Sequence, residues 1–180
     1  QGLKIRGGSR VINLMLEELG SSPVGMPVPA VTEALSKGVI DATTIPWEVT
    51  PSLKVSELVS NHTQFSGDHG LYTQTFVVGM NPAAYDKLPD DLKKVIDDNS
   101  GIETAALFGR AMDMGDEAGL KIAQDRNNNI ITLDEAETQR WKDAAASIEE
   151  GWIAEMSAKG LDAKAMVAEA KALVAKHSGM

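Results

Sequence analysis

The sequence contains no cysteine, and this absence excludes disulfide bonds, thiolate metal sites and cysteine nucleophiles. Its three histidines, at positions 62, 69 and 177, are too dispersed for a metal-binding motif such as HExxH. The sequence also lacks the nucleophile motifs GxSxG and SxxK and the phosphate loop GxxxxGK[ST]. No catalytic constellation is recognisable, so we predict a protein that is not an enzyme and uses no cofactor or metal.

Basic residues are also scarce, since 17 Lys and Arg stand against 26 Asp and Glu and the formal net charge is −9. A nucleic-acid groove needs a basic face, so we predict no nucleic-acid partner. No apolar run approaches the roughly 20 residues that span a membrane, and no signal peptide is visible. The 180 residues, 43% of them hydrophobic and 24% charged, are typical of a folded globular protein with one domain or two small lobes.

The first quarter of the chain alternates between strand and helix patterns. Short extended runs are predicted near residues 3–5, 22–28 and 39–43, and apolar-periodic helices near 10–19 and 29–37. Gly20 and Gly38 stand where these helices should end. This rhythm predicts an α/β fold with a mostly parallel sheet, in which ligands lie beyond the carboxyl ends of the strands.

The middle of the chain is predicted to hold two long elements. Residues 71–80 are rich in β-branched and aromatic side chains, which predicts a strand about 30 Å long, enough to cross from one lobe to another. Helical periodicity then runs from residue 90 to about 126, with weak points at Gly101, Gly109 and Gly115. Residues 55–59 are compatible with either a short helix or a strand.

Helices fill the rest of the chain in this prediction. Residues 130–132 are a brief extended piece, and Thr132 with Glu135 is interpreted as a capping box that begins a helix reaching about residue 158. Gly160 ends that helix, and Asp162 is expected to cap a last one that reaches about residue 176.

A candidate anion site is present near the start of the chain. Arg6 follows the first predicted strand and enters a bend made by Gly7 and Gly8, just before a helix begins. The planar guanidinium can pair with both oxygens of a carboxylate, and glycines let the backbone approach a ligand closely. The alternative is that Arg6 is an ordinary surface residue of the strand.

Other binding-type side chains stand at predicted strand ends. Trp47 follows Pro46 and is interpreted either as an apolar wall with one N–H donor or as a core residue. His69 lies in a bend before the long strand, where it either donates to a ligand carboxylate or satisfies the turn. The complete set of candidate ligand-binding residues is Arg6, Ser9, Thr43, Thr44, Trp47, His69 and Tyr72.

Four sequence words occur in an order and at spacings that are specific when taken together. They are GLKIR at 2–6, PVGMP at 23–27, VTEALSKGVID at 31–41 and NPAAYDKLP at 81–89. With the long helix that follows, they resemble the extracytoplasmic solute-binding proteins of tripartite ATP-independent periplasmic (TRAP) transporters, of the DctP type. The resemblance covers nearly the whole sequence, which looks like roughly the C-terminal half of such a protein. The start at Gln1 rather than Met agrees with part of a longer chain.

The resemblance implies a two-lobed α/β binding protein of the periplasm that closes on a small organic acid and delivers it to the TRAP membrane permease subunits. It implies that Arg6 pairs with the ligand carboxylate and that Ser9 makes a polar contact. Members often carry a polar residue before the proline that is Pro46 here. This sequence has Ile45 instead, which favours a less polar ligand such as an aromatic or branched acid.

One lobe is expected to span residues 1–75, and the crossing strand, long helix and C-terminal helices are expected to span residues 76–180.

Two other functions stay open at this stage. A piece of a two-lobed fold leaves unpaired strand edges, which favour self-association or domain swapping. A ligand-sensing domain of a receptor is the other alternative.

Overall fold

The protein contains two parallel β-sheets joined by helices, as the computed structural model shows for residues 2–67 and 70–177. The first sheet has three strands in the order β2-β1-β3. These strands are β1 (Lys4–Arg6), β2 (Ser22–Val24) and β3 (Ala42–Thr43). Helices α1 (Arg10–Glu18) and α2 (Val31–Ser36) connect them, and a 3₁₀ turn (Val28–Ala30) precedes α2. The predicted βαβαβ arrangement and the α/β class are confirmed.

Local chemistry explains how α1 begins and ends. The Ser9 hydroxyl accepts a hydrogen bond from the backbone N–H of Ile12, which makes Ser9 the N-cap. Ile12 and Leu16 lie one turn apart on the buried face. Gly20 follows the helix with φ 82, a conformation that favours glycine, and the chain turns there into β2.

The second sheet pairs two strands that are distant in the sequence. It contains β4 (Asn61–Phe65) and β5 (Asn129–Leu133), which run parallel with His62 opposite Ile130 and Phe65 opposite Leu133. The short helix α3 (Val55–Leu58) precedes β4 and resolves the ambiguity at residues 55–59. The sequence predicts a boundary between two lobes at residue 75, and β4 and β5 lie on opposite sides of it. The second sheet therefore joins the two predicted lobes, and the boundary itself stays a prediction.

The predicted strand over residues 71–80 is wrong for this structure. These residues form neither helix nor strand, and no backbone hydrogen bond joins them to another described residue. A strand requires a hydrogen-bonded neighbour as well as β-branched side chains. The described part of the chain supplies no such neighbour here, and side chains 73–80 are exposed.

The single long helix predicted from residue 90 is instead two helices. After α4 (Pro82–Asp86), helix α5 (Asp90–Asp98) and helix α6 (Ile102–Asp125) are separated at Gly101. Gly101 has φ 154, which takes the backbone out of helical geometry. The weak point predicted at Gly101 is therefore where the helix breaks, whereas Gly109 and Gly115 lie inside α6.

The C-terminal part consists of α7 (Glu135–Ala158) and α8 (Ala163–His177). The capping box predicted from Thr132 and Glu135 is wrong by two residues, because Asp134 is the N-cap and its Oδ1 accepts from the N–H of Glu137 at 2.8 Å. The Asp162 cap is confirmed, since its Oδ1 accepts from the N–H of Ala165 at 3.1 Å.

A compact apolar core lies under the first sheet. Val31, Ala34 and Ile40 are buried together. Four partly buried side chains pack around them, namely Val24, Met26, Leu35 and Leu53. This core fixes β2, α2 and the approach to β3, the elements that surround Arg6. Within residues 2–67 and 70–177, no helix is long and apolar enough to cross a membrane.

Candidate functional site

Arg6 lies at the carboxyl end of the central strand β1, and only 6% of its surface is exposed. Its Nε donates to the carbonyl of Met26 at 3.2 Å and its Nη1 to the carbonyl of Thr44 at 3.3 Å. A guanidinium has five N–H donors, so further donors remain. No carboxylate in residues 2–67 and 70–177 forms a salt bridge with it. The site therefore presents a buried positive charge without a partner of opposite sign, and an anion is the chemical complement.

The two glycines after Arg6 have different surroundings. A Cβ on Gly7 would lie 2.1 Å from Oδ1 of Asn13 and 3.2 Å from Cγ2 of Ile12, so a larger residue there would displace the Asn13 amide. A Cβ on Gly8 would lie 3.7 Å from Arg6 Nη1 and 3.8 Å from the Tyr72 hydroxyl. The space beside Gly8 is thus bordered by the Arg6 guanidinium, the Tyr72 phenol and the Ile12 side chain.

Thr43 adds an unsatisfied polar group to this site. It is the register partner of Arg6 across β1 and β3, so both side chains stand on the same face of the sheet. The Thr43 Oγ1 is buried without a hydrogen-bond partner among the described residues. A buried hydroxyl left unpaired is costly, so Thr43 is available to a ligand that lies against Arg6.

Thr44 and Ser9 already have structural partners. The Thr44 hydroxyl donates to the Arg6 carbonyl at 3.2 Å, and its backbone N–H donates to the same carbonyl at 2.8 Å. The Ser9 hydroxyl accepts from Ile12 at the start of α1. These contacts hold the bend around Arg6, and a direct ligand contact by either residue stays a prediction.

Trp47 begins a second 3₁₀ turn, Trp47–Val49, which follows β3 and Pro46. Its ring is only partly buried and its centroid lies 4.9 Å from that of His62 on β4, at 37° between the planes. Helix α6 holds this turn in place, because the N–H of Glu48 donates to Asp116 Oδ1 at 2.7 Å. A Cβ on Gly119 would lie 2.1 Å from the Trp47 carbonyl oxygen, so the helix backbone touches the turn.

The structure brings together four of the seven predicted site residues and leaves the others apart. Arg6 is bonded to Thr44, is the register partner of Thr43 and lies with Tyr72 beside Gly8, whereas Trp47 lies three residues beyond Thr44 and Ser9 caps α1. His69 lies outside the described residues. Sequence reasoning missed Gly119 and Asp116, although the spacing of Gly115 and Gly119 places both on one helix face and is typical of close packing.

Two titratable side chains next to the Trp47 turn have shifted pKa values. Burial lowers the pKa of His62 below 6.5, and Asn128 Nδ2 lies 3.0 Å from its Nε2. This geometry suits a neutral imidazole whose Nε2 accepts from the amide. Burial, and secondly the charge of Asp116, raise the pKa of Glu48 above 4.5. In the described residues no group of three His, Asp or Glu side chains could hold a metal ion.

The raised pKa of Glu48 predicts a pH-dependent effect of Glu48→Gln. The folded state keeps the Glu48 proton to higher pH than the unfolded state does, so this residue's contribution to stability is lost as the pH rises from about 4.5 through the folded pKa. We expect Glu48→Gln to be more stable than the wild type at about pH 7, and the difference to disappear near pH 4. Urea unfolding at both pH values measures this.

The control for that measurement is Glu169→Gln. Glu169 lies exposed on α8, and this substitution changes the net charge by the same amount as Glu48→Gln does. A Glu48→Gln protein that is less stable than the wild type at neutral pH would show that the carboxylate is favourable in the folded state.

The family comparison identifies related chains. Residues 1–155 match the family described as bacterial extracellular solute-binding protein, family 7 (DctP). A TRAP solute-binding protein from Rhodoferax ferrireducens T118, solved with copurified benzoate, is 46% identical with a TM-score of 0.95. The match covers 99% of this chain and 56% of that one.

Two further solved structures are similar. A marine metagenome TRAP solute-binding protein specific for aromatic acid ligands, solved with 3-hydroxybenzoate, is 46% identical with a TM-score of 0.93 over 98% of this chain and 55% of that one. A TRAP periplasmic solute-binding protein from Bordetella bronchiseptica with bound (R)- and (S)-mandelate is 32% identical, with a TM-score of 0.82 over 93% of this chain and 53% of that one. This chain thus spans little more than half the length of these relatives.

Proposed function

The chain belongs to the bacterial extracellular solute-binding proteins of family 7, the DctP family, and from this premise we propose that it binds a small aromatic carboxylate in the periplasm for a TRAP permease. The observation that supports this most is the buried guanidinium of Arg6, which has no acidic partner among the described residues. The matched structures are TRAP solute-binding proteins, which are transport components rather than enzymes.

The proposed binding mode assigns one role to each group around Gly8. The carboxylate accepts from the terminal N–H donors of Arg6 that Thr44 does not use. The Thr43 hydroxyl, which lacks a partner, and the Tyr72 hydroxyl donate to the same carboxylate or to a polar substituent next to it. These groups satisfy the charged end of the ligand and leave its ring to an apolar surface.

Trp47 is proposed as that surface, with Ile45 two residues before it in the sequence. An indole offers a large apolar face for an aromatic ring, whereas Ile45 offers no hydrogen bond to the hydroxyls of a sugar acid. Relatives that were solved with benzoate, 3-hydroxybenzoate and mandelate bind ligands of this kind. We therefore place benzoate-like acids ahead of sugar acids for this chain.

Thermal unfolding with benzoate and benzamide tests the proposal. The two molecules share a ring and differ in the charge of the head group, so the buried guanidinium should distinguish them. A ligand that binds only the folded state stabilises it by about 2.7 kcal/mol at 100 times its dissociation constant. We expect benzoate to raise the melting temperature in a concentration-dependent manner and benzamide to have no effect.

Two controls complete the experiment. Sodium chloride at matching ionic strength separates specific binding from general screening of a chain with a net charge of −9, and glucuronate tests the preference for an apolar acid. Equal stabilisation by benzoate and benzamide, or none by either, would count against a carboxylate anchor.

A further inference from the structure

His62 connects the second sheet to the turn that carries Trp47. It lies on β4, opposite Ile130 of β5, and its ring packs against the Trp47 indole with 4.9 Å between the centroids. The backbone of the same turn is held separately, by the bond to Asp116 and by close packing on Gly119 of α6. Helix α6 therefore fixes where the turn lies, whereas His62 contacts the indole ring itself.

The Asn128 amide determines which form of the imidazole fits beside it. Its Nδ2 donates to the Ser56 carbonyl at 2.9 Å and to the Val59 carbonyl at 3.0 Å, and it lies 3.0 Å from His62 Nε2. Turning the amide over would place its oxygen against two carbonyl oxygens, so the NH₂ group must face them. His62 Nε2 is therefore an acceptor, and the proton of the neutral ring lies on Nδ1.

A second proton on His62 is incompatible with this arrangement. An imidazolium has an N–H donor on both nitrogens, so its Nε2–H would point at the N–H donors of Asn128. Burial also disfavours the charged ring, and it lowers the pKa of His62 below 6.5. We expect the imidazolium to move away from Asn128, and the Trp47 indole then loses the ring that packs against it.

The charged groups on the neighbouring elements do not offset this conflict. Strands β4 and β5 carry no Asp, Glu, Lys or Arg. The turn carries Glu48, α6 brings Asp116 to it, Arg126 follows α6, and α3 carries the exposed Glu57. No carboxylate forms a salt bridge with His62 within residues 2–67 and 70–177, so none holds the imidazolium in place.

We propose that His62 is a positioning residue, whose neutral imidazole holds the Trp47 indole in the orientation that receives the ring of an aromatic acid. This role rests on the function proposed above, because it takes Trp47 as the surface for that ring. His62 then favours aromatic over aliphatic acids without touching the ligand. The preference is pH-dependent, because a proton on Nε2 breaks the contact with Asn128.

Nuclear magnetic resonance of the ligand-free protein tests the coupling between the two rings. We expect His62 to be the Nδ1–H tautomer at about pH 8 and to titrate below pH 6.5, with the Trp47 indole N–H signal shifting at the same midpoint. Spectra of His62→Phe identify the His62 signals among the three histidines. A Trp47 signal that does not respond to the titration of His62, or an Nε2–H tautomer, would overturn the proposal.

Affinities for benzoate and butyrate distinguish positioning from structural support. His62→Ala should weaken benzoate binding about three- to tenfold, the range of one aromatic contact, and change butyrate binding less than about twofold. His62→Phe keeps a flat ring and cannot titrate. It should bind benzoate like the wild type at about pH 7.5 but lose the wild-type weakening at about pH 5, where both acids are still ionised. Equal losses for the two acids in His62→Ala would overturn the proposal.

The matched control is Phe65→Ala. Phe65 lies on the same strand as His62, but its ring contacts that of Trp141, with 5.4 Å between the centroids. This variant should lower stability and leave the pH profile of benzoate binding unchanged. Glu48→Gln should also keep the profile, which separates His62 from the carboxylate next to Trp47.

Two further outcomes are informative. A benzoate affinity that rises as the pH falls would overturn the proposal, because it would mean that the imidazolium attracts the anion directly. A wild-type protein that binds no benzoate would count against the proposed function instead. The resonance titration of the ligand-free protein would then still decide whether His62 positions Trp47.

Discussion

Arg6→Ala is expected to weaken benzoate binding by about 30-fold or more. Arg6 is 6% exposed, donates to two carbonyls that hold its guanidinium, and has its Nη1 beside Gly8. Truncating one partner of a buried charge pair costs about 2–5 kcal/mol, and about 1.4 kcal/mol corresponds to a tenfold change in affinity. Isothermal titration with benzoate measures the effect directly.

Two further variants make this prediction specific. Arg6→Lys keeps the positive charge but loses the planar fork and the bond from Nε, so we expect an affinity between those of the wild type and Arg6→Ala. Arg10→Ala is the matched control, because Arg10 lies four residues away, is exposed and pairs with Glu155. An Arg10→Ala protein with the same loss as Arg6→Ala would point to a general electrostatic effect instead of an anchor.

Gly119→Ala is expected to cost about 3 kcal/mol of unfolding free energy or more, at the upper end of what overpacking causes. The added methyl would lie 2.1 Å from the Trp47 carbonyl oxygen and 2.7 Å from its carbonyl carbon. Both atoms are backbone, so no side-chain rotation relieves the overlap. Helix α6 must move away from the Trp47–Val49 turn, and Trp47 must move with it.

Helix α6 contains its own controls for this experiment. A Cβ on Gly109 meets nothing within 4 Å, so Gly109→Ala should stabilise the protein by up to about 1 kcal/mol through helix propensity alone. Gly115→Ala should lie between the two, because its methyl would be 2.8 Å from the Glu48 Cβ, a smaller overlap than the one at Gly119. Urea unfolding of the three variants gives the order, and equal stabilities for Gly109→Ala and Gly119→Ala would refute close packing of α6 on the turn.

The start of the first sheet, from β1 through α1 to β2, could be predicted because its sequence signals are local. Apolar periodicity in α1, the Gly20 turn and the Ser9 cap all lie within a few residues of the structure that they determine. The position of Arg6 at a strand end follows from the same pattern. Its burial and its bonds to Met26 and Thr44 depend on how three strands meet, so they required the structure.

The errors came from non-local pairing. Strand β4 has the polar sequence NHTQF and exists because β5 bonds to it from 68 residues away, as the pairing of Asn61 with Asn129 shows. Residues 71–80 have the opposite character, with strong strand composition and no neighbour in the described chain. Composition alone cannot show whether a neighbouring strand exists. It therefore predicts a strand at residues 71–80, where none forms, and gives no strand signal at β4, where one does.

The threonines show the same limit within the site. Thr43 and Thr44 are equivalent as sequence signals, yet the Thr44 hydroxyl bonds to the Arg6 carbonyl and the Thr43 hydroxyl has no partner in the described chain. Alternation along β3 separates their roles, but only the strand register identifies which of them shares a face with Arg6.

A crystal structure of the protein grown with benzoate shows directly whether Arg6 anchors the carboxylate. We expect both carboxylate oxygens to lie within hydrogen-bond distance of the Arg6 terminal nitrogens, Thr43 Oγ1 to have gained a partner, and the ring to pack on Trp47. Benzoate bound elsewhere, with the Arg6 guanidinium bonded only to the carbonyls of Met26 and Thr44, would contradict it.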